Sequence, residues 1–323
     1  MERPKFNSVF VYEMYAYLDF KRSSGYEESN FYSNLRTFDR FCTDNSVEKV
    51  SFSRELADEW IKRRTNEAST THYSRINSVK QFLIYLSRKN YSVFVTRDIC
   101  FKQTDFQPHI YSVDEIRRYF LAVDTFDSYQ NKKDKIQYPV MFRLLYCCGT
   151  RINETLGIRK QDVDLVEGII KLSETKNNCE RYIVLGDDMA SLMRQYAQKC
   201  FYLLDDLDYI FTSATGGRCH GETVYDHHRL FLRQAGIPFI GGGEGPRIHD
   251  WRHTFSVYSF KQMIDEGNDM YVALPILSTY LGHKTIFATE HYVRLVRNLF
   301  PYIEKKFKDK MDAVFGEVDH EDD

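Results

Sequence analysis

Apolar residues recur every three or four positions through the first part of the chain. The repeat occurs in four stretches, at residues 10–18, 31–42, 54–64 and 70–89. Side chains with this spacing lie on one side of an α-helix, which is the pattern of a helix that buries one face. Four such helices in succession predict a compact helical bundle.

The pattern changes after residue 90. Helical periodicity is lost over residues 91–111, and Pro108 within this stretch favours a linker. Ser112 is then followed three residues later by Glu115, which is the pattern of a capping box at the start of a helix. We therefore expect an N-terminal domain at residues 1–104, a linker at 105–111 and a second domain at 112–311.

The second domain has a mixed pattern. Residues 139–148 are apolar with helical spacing, whereas residues 163–165, 168–172 and 181–185 are short β-like runs, the last two joined by a turn at 175–179. Further helices are predicted at about 187–203 and 222–235, and others begin near residues 248, 270, 286 and 300. The predicted fold class is mainly α with a small β-sheet insert.

The composition of the chain limits the class of protein to which it can belong. With 323 residues, 43% of them hydrophobic and 28% charged, the chain has the composition of a globular protein of two domains. It contains no apolar run near the roughly 20 residues that span a bilayer, and its start does not resemble a secretory signal. Its seven cysteines are scattered without a C-x-x-C pair, so we expect a reduced, cytoplasmic protein without a disulfide framework or a zinc module.

The distribution of charge is more informative than the net charge of −2. Residues 312–323 form an acidic tail with six carboxylates, and the rest of the chain holds 44 basic and 40 acidic side chains. This mild excess permits a DNA-binding face without requiring one. Candidates for contact with a DNA backbone, each equally compatible with a solvated helix surface, are Arg63, Arg64, Arg75, Lys80, Arg88 and Lys89.

Three short segments hold side chains suited to phosphate chemistry. In the first, Gly149 and Thr150 allow a tight turn before Arg151, and residues 152–156 continue as a helix. An arginine at a helix N-terminus can donate to two phosphate oxygens while backbone N–H groups add positive field. Taken alone, Arg151 is better interpreted as a surface residue at a helix start, and the other two segments change that interpretation.

The second segment is His249-Asp250-Trp251-Arg252-His253. Residues three apart share one face of a helix, so Arg252 can bind a second phosphate oxygen while His249 exchanges a proton near neutral pH. The spacing of His249 and His253 also resembles the zinc-binding H-E-x-x-H motif. Since Arg252 would crowd a metal with positive charge and no third ligand stands at a characteristic distance, we assign His253 a structural role.

In the third segment, His283 follows Gly282 and precedes Tyr292 by nine residues. A phenol ionises at about pH 10, so to act as a nucleophile near neutral pH it needs positive charge, which two arginines supply, or a base. The chain contains 23 tyrosines, and position alone singles out Tyr292. The glycine-rich residues 241–246 lack the Lys-Ser/Thr of a P-loop, so no nucleotide site is predicted.

The order and spacing of the three segments resemble those of the tyrosine recombinases, the lambda integrase-like family. The resemblance is close over residues 146–156 and 248–294. It is looser over the N-terminal domain, which is similar only in architecture to the family's helical core-binding (SAM-like) domain. The resemblance therefore implies a core-binding bundle followed by a tyrosine recombinase catalytic domain.

The resemblance also implies roles for the candidate residues. Arg151 and Arg252 would stabilise a pentavalent phosphate, and His249 would act as an acid/base. His283 would donate a hydrogen bond in the transition state. Tyr292 would be the nucleophile that forms a 3′-phosphotyrosyl bond with DNA.

Two further residues match the family's pattern. Lys176, on the predicted turn at 175–179, matches the general acid that protonates the leaving 5′-oxygen, although an ordinary exposed turn lysine is the alternative. Glu154 matches a residue that supports Arg151.

The function implied by the resemblance is site-specific recombination of double-stranded DNA, as in integration or transposition of mobile elements. A homo-tetramer would cut and rejoin strands through a Holliday junction, without a metal or nucleotide cofactor. The alternatives are a type IB topoisomerase-like enzyme that relaxes DNA, a zinc hydrolase using residues 249–253, and a DNA-binding protein without activity. An apolar stripe from Phe300 to Val314 would pack either on its own domain or on a neighbouring protomer.

Overall fold

The computed structural model describes residues 3–99, 107–127, 132–173, 180–239 and 245–283, together with Thr289, Tyr292, Leu295, Val296 and Phe300. The chain divides into two compact units, Met1–Phe106 and Gln107–Asp323. The predicted turn at 175–179, the acidic tail at 312–323 and, apart from Phe300, the last predicted helix lie outside the described residues.

The first unit is a bundle of helices. They are α1 (Val11–Ser23), α2 (Ser29–Asp44), α3 (Arg54–Ile61) and α4 (Ser69–Arg88). The Ser53 hydroxyl accepts a hydrogen bond from the Leu56 N–H and so caps α3. The four predicted helices are confirmed, with α3 ending at Ile61 rather than at residue 64. Their apolar faces meet in a core of largely aromatic side chains, among them Phe10, Phe38, Trp60 and Phe82.

One basic residue predicted for a DNA-contacting face is buried instead. Arg75, on α4, is 3% exposed, donates to the backbone carbonyls of Trp60 and Lys62, and pairs with Glu67 at 2.7 Å. Because its donors are taken up within its own unit, the prediction is wrong for Arg75. Lys80 is engaged in an ion pair. The exposed members of the set are Arg63, Arg64, Arg88 and Lys89.

The second unit begins with α5 (Val113–Asp124), where the predicted capping box is confirmed. The Ser112 hydroxyl accepts from the Glu115 N–H, and the Glu115 carboxylate accepts from the Ser112 N–H at 2.8 Å. The next helix, α6 (Asp134–Cys147), begins before the predicted residue 139. A proline inside a helix removes one backbone hydrogen bond and is better tolerated in the first turn. The sequence pattern therefore predicts a helix that begins at Pro139 and not one that extends in front of it.

A short helix, α7 (Ile152–Leu156), leads into a three-stranded antiparallel sheet. Its strands, in spatial order, are β1 (Val163–Asp164), β2 (Ile169–Leu172) and β3 (Arg181–Val184). The register of β2 and β3 pairs Ile169 with Val184 and Leu172 with Arg181. The predicted β insert is therefore confirmed, and Arg181 at the start of β3 donates to the Glu154 carboxylate on α7.

The remaining described helices are α8 (Asp187–Cys200), α9 (Gly221–Gln234), α10 (Asp250–Asp265) and α11 (Met270–Leu281). The start of α10 is anchored in the core because the Trp251 ring stacks on Tyr111, with centroids 3.9 Å apart. The predicted fold class, mainly α with a small β-sheet insert, is confirmed. In the described part of the chain, no helix has both the length and the apolar character needed to cross a bilayer.

Candidate active site

The first segment of the site turns sharply before α7. Gly149 has a left-handed φ of +58°, and a Cβ at this position would lie 2.4 Å from the Phe255 ring. Glycine is therefore required for both conformation and space. Arg151 follows in an extended conformation, and α7 begins at the next residue. The turn thus places the guanidinium of Arg151, whose side chain is 20% exposed, at a helix N-terminus.

Glu154 holds two guanidinium groups at this point. Nη1 of Arg151 lies 2.6 Å from Oε1, while Arg181 at the start of β3 donates to both carboxylate oxygens, at 2.9 and 2.7 Å. Burial raises the pKa of Glu154, but the hydrogen bonds and charges of Arg181 and Arg151 prevail and lower it to about 2. One carboxylate against two guanidiniums leaves the cluster with a net positive charge.

Arg252, in the first turn of α10, connects the first and third segments. Its Nη1 donates to the carbonyl of Gly149 at 2.7 Å and its Nη2 to the carbonyl of Leu281 at 2.6 Å. These carbonyls lie two residues before Arg151 and His283, respectively. Burial lowers the pKa of Arg252 to about 10, and the charge of Arg151 acts in the same direction. Arg252 therefore remains charged at neutral pH, and no carboxylate of the described residues forms an ion pair with it.

His283 is positioned by the end of α11. Gly282 takes up a left-handed conformation, and the His283 N–H donates to the Ser278 carbonyl at 3.1 Å, which closes the helix. Nδ1 of His283 lies 2.8 Å from the Thr289 hydroxyl. Burial, followed by the charge of Arg252, lowers the pKa of His283 to about 4, so the ring is neutral at pH 7. If Thr289 donates to Nδ1, the ring hydrogen is on Nε2, where it can be donated.

Tyr292 lies within the same unit with its hydroxyl buried. Its side chain is 2% exposed, and its hydroxyl oxygen lies 3.1 Å from Nδ1 of His253. Burial raises the pKa of the phenol, whereas a hydrogen bond with Ser256 and the charges of Arg252 and Arg151 act in the opposite direction. The two arginines from separate segments therefore act on one phenol.

His249 and Lys176 differ from the other predicted site residues. His249 is exposed directly before α10, and its ring meets the His253 ring edge-on with centroids 4.9 Å apart. Lys176 lies outside the described residues, and its predicted role stays a prediction. Among the described residues, no group of three or more His, Cys, Asp or Glu is arranged to hold a metal ion. The structure brings together Arg151, Arg252, His283 and Tyr292, and the charge of His249 also acts on His283 by lowering its pKa.

Two residues of the site were missed by sequence reasoning. His253 was assigned a structural role, yet it contacts the Tyr292 hydroxyl, and Arg181 was not singled out at all. Their partners are 39 and 27 residues away in the chain, so no local pattern reports these contacts. The available signals were weak: His253 directly follows Arg252, and Arg181 follows the turn at 175–179.

The arrangement suits a reaction with an anionic transition state. Arg151 and Arg252 supply positive charge, His283 supplies a neutral imidazole, and Tyr292 supplies a hydroxyl that can attack. Fixed donors around a developing negative charge lower a barrier because they need no reorganisation during the reaction. These groups fit attack on a phosphodiester.

Comparisons with known proteins agree with this chemistry. The model of the Phage integrase family matches residues 113–298. An integrase/recombinase-like protein of Sinorhizobium fredii is 26% identical over 319 residues, which cover 94% of this chain and 99% of the relative. A tyrosine recombinase of Pseudothermotoga lettingae is 24% identical over 286 residues, with 85% and 90% covered. A solved structure of the Tn1549 transposon integrase in complex with circular intermediate DNA is similar in fold, with a TM-score of 0.63 at 15% identity over 87% of this chain and 94% of that one.

Proposed function

Because the chain belongs to the phage integrase family, we propose that it is a site-specific DNA recombinase that cuts and rejoins double-stranded DNA through a phosphotyrosyl intermediate. One observation carries the proposal. Arg252 joins the segments of Arg151 and His283 by hydrogen bonds, and the charges of both arginines act on Tyr292. A phenol that shares its surroundings with two guanidiniums is suited to attack a phosphate.

In the proposed reaction, the Tyr292 oxygen attacks the scissile phosphorus and forms a 3′-phosphotyrosyl bond. Arg151 and Arg252 bind the non-bridging oxygens, and His283 donates to one of them. Lys176 protonates the leaving 5′-oxygen, and His249 acts as a further acid/base. Because the tyrosyl link keeps the energy of the phosphodiester, rejoining the strand requires neither a nucleotide nor a metal.

The partners follow from the same proposal. The integrase of similar fold was solved in complex with circular intermediate DNA, which supports DNA as the substrate. We assign DNA contacts to both the N-terminal domain at residues 1–104 and the catalytic domain at 112–311, joined by the linker at 105–111. Four protomers would exchange strands through a Holliday junction, in a cytoplasmic protein that serves integration or transposition.

The test begins from a randomised library, which selects the recombination site in the same experiment that maps the linked residue. Duplexes with random sequence on both sides of a fixed nick are incubated with the full chain, and a short fragment lost at the nick traps the covalent complex. Adducts recovered under denaturing conditions are sequenced for the site and digested to map the linked residue. We expect linkage at Tyr292, complete loss of the adduct in Tyr292→Phe, and unchanged DNA binding by that variant.

The control is Tyr271→Phe, which removes the hydroxyl of an 80% exposed tyrosine on α11 and should leave adduct formation unchanged. An adduct formed by Tyr292→Phe, or linked elsewhere, contradicts the nucleophile assignment. A plasmid carrying two copies of the recovered site separates the enzyme classes. Recombination between the copies supports the proposal, whereas relaxation of supercoils without exchange favours a topoisomerase. Loss of activity with a chelator favours a zinc hydrolase.

A further inference from the structure

The Tyr292 side chain is buried, and the positive charge around its hydroxyl is not enough to ionise it. Its side chain is 2% exposed. Burial raises the pKa of the phenol, and the hydrogen bond with Ser256 and the charges of Arg252 and Arg151 do not cancel that effect. At neutral pH the phenol therefore keeps its proton. An attack on phosphorus then requires a group that accepts the proton as the new bond forms.

The described groups around this hydroxyl that carry or exchange charge come from several elements. They are His249, Arg252 and His253 at the start of α10, Arg151 before α7 and His283 after α11. Guanidiniums donate hydrogen bonds and do not accept protons, which excludes both arginines as the base.

The three imidazoles differ in their relation to the hydroxyl. His283 lies with its ring nearly parallel to that of Tyr292, with centroids 6.4 Å apart, and its Nδ1 is engaged by Thr289. His249 meets the ring of His253 edge-on. Nδ1 of His253 lies 3.1 Å from the Tyr292 oxygen, within the distance required of a general base.

We infer that His253 is the general base that takes the proton of Tyr292 during strand cleavage, an inference that rests on the proposed function. The Tyr292 oxygen bonds to phosphorus while its proton moves to Nδ1 of His253. The bond from phosphorus to the 5′-oxygen breaks, and that oxygen takes a proton from Lys176. In rejoining, the 5′-hydroxyl attacks the phosphotyrosine and gives up its proton to Lys176, and protonated His253 returns its own proton to the departing Tyr292 oxygen.

Two substitutions separate a base from a residue that only holds the phenol in place. His253→Asn keeps a hydrogen-bond acceptor close to the position of Nδ1, but an amide oxygen does not take a proton at neutral pH. His253→Gln moves the amide away from that position. If His253 is the base, both variants lose about 10²–10⁴-fold in the rate of adduct formation at neutral pH.

The pH profile is the decisive measurement. The rate of adduct formation is measured on the site recovered from the random library, from neutral pH up to about pH 9. The wild-type rate should become independent of pH once His253 is neutral. In His253→Asn, the reaction depends on ionisation of the phenol itself, so its rate should rise about tenfold for each pH unit and approach the wild-type rate. A defect of equal size at every pH would mean that His253 only positions Tyr292, and would overturn the inference.

A second substrate distinguishes the base from the acid. When sulfur replaces the scissile 5′-oxygen, the leaving thiolate needs no proton, so a defect in a general acid is relieved. The defect of Lys176→Ala should shrink on this substrate, whereas that of His253→Asn should persist. Relief of His253→Asn by sulfur would assign His253 to the leaving group and would also overturn the inference.

The controls keep this result apart from the proposed function. His220→Gln, at an exposed histidine before α9, should leave both rate and profile unchanged. Binding of each variant to uncleaved duplex, measured alongside, verifies that it is folded. Absence of any adduct from the wild-type protein contradicts the proposed function and this inference together. A wild-type adduct with unchanged profiles in both His253 variants contradicts the inference alone.

Discussion

Among the residues that the structure describes, two arginines are buried, Arg75 in the first unit and Arg252 in the second, with exposures of 3% and 1%. The first is paired with a carboxylate. Arg75 donates to the carbonyls of Trp60 and Lys62, and it pairs with both carboxylate oxygens of Glu67 at 2.7 and 3.0 Å. Its hydrogen bonds lower the pKa of Glu67 to about 2, so the pair stays ionised at neutral pH.

Arg252 has the same kind of backbone contacts without the carboxylate. It donates to the carbonyls of Gly149 and Leu281, and within the described residues no acid pairs with it. Its most influential charged neighbour is Arg151, which repels it. A buried charge without a counter-ion is costly, since burial in a low-dielectric interior disfavours the charged form.

Both arginines are buried and donate to backbone carbonyls, and they differ in the carboxylate that pairs with Arg75. Glu67 neutralises Arg75, so that pair contributes to the fold and has little attraction left for a ligand. Arg252 has no such ion pair among the described residues, although the charge of nearby Glu154 favours its charged form, so it can attract a bound anion, as expected of a residue that stabilises a phosphate in its transition state.

The largest expected effect comes from removing one partner of the Arg75–Glu67 ion pair. Arg75→Met leaves the Glu67 carboxylate without its guanidinium partner, so the free energy of unfolding of the first unit should fall by about 3–5 kcal/mol. Urea unfolding of the full chain, followed by tryptophan fluorescence, measures this loss because Trp60 lies beneath the Arg75 guanidinium, 4.6 Å from it.

The double variant Arg75→Met/Glu67→Leu is the control for that prediction. Removal of both partners leaves no unpaired charge, so most of the lost stability should return. If the single and double variants were equally unstable, the loss would reflect packing rather than charge. Arg75 would then not be the neutralised counterpart of Arg252.

The next effect concerns chemistry rather than stability. Arg252→Met should lower the rate of adduct formation by about 10²–10³-fold, the usual consequence of removing one donor to a transition-state oxyanion. The rate is measured on the recovered recombination site, at a temperature where circular dichroism shows the variant to be folded. Arg252→Lys, which keeps the charge but not the planar fork, should lie between the variant and the wild type.

A neutral substrate tests whether the loss is electrostatic. A methylphosphonate at the scissile position lacks one anionic oxygen, so the transition state carries less negative charge. The ratio of wild-type to Arg252→Met rates should shrink on this substrate. An unchanged ratio would mean that Arg252 acts by joining the carbonyls of Gly149 and Leu281, as a structural residue like Arg75.

Much of the fold could be predicted because its information is local. The capping box of Ser112 and Glu115 and the alternating residues of β2 and β3 fix the elements within a few positions. The start of α6 could not be found, because the helix continues through Pro139 and only tertiary packing favours that. Arg75 was misplaced for a related reason: its carboxylate partner is eight residues away in the loop before α4, and the sequence does not show that the two meet.

The residues of the candidate site likewise divide into those that local motifs predict and those that only the tertiary structure shows. Arg151, Arg252, His283 and Tyr292 stand in motifs whose order along the chain predicts them as site residues. His253 became a candidate only through its contact with Tyr292, which is 39 residues away and cannot be predicted from the spacing of residues. Local patterns therefore find the groups suited to phosphate chemistry, and the tertiary structure decides which imidazole reaches the phenol.

The smallest expected effect tests the difference between Arg75 and Arg252 in the absence of DNA. Sulfate resembles a phosphate, so it should bind near Arg252 and stabilise the second unit by RT ln(1 + [L]/Kd), about 1.4 kcal/mol at ten times its Kd. For a unit of this size the melting temperature should rise by about 3–6 °C. Thermal unfolding is followed over a sulfate titration, with chloride keeping the ionic strength constant.

Sulfate also stabilises proteins by exclusion from their surfaces, an effect common to all variants. The quantity that matters is therefore the difference between Arg252→Met and Arg88→Met, a substitution at an exposed arginine of the first unit. Arg88→Met should keep the full rise and Arg252→Met should lose most of it. An equal rise in both would mean that the charge of Arg252 attracts no anion, and the distinction from Arg75 would rest on the missing carboxylate alone.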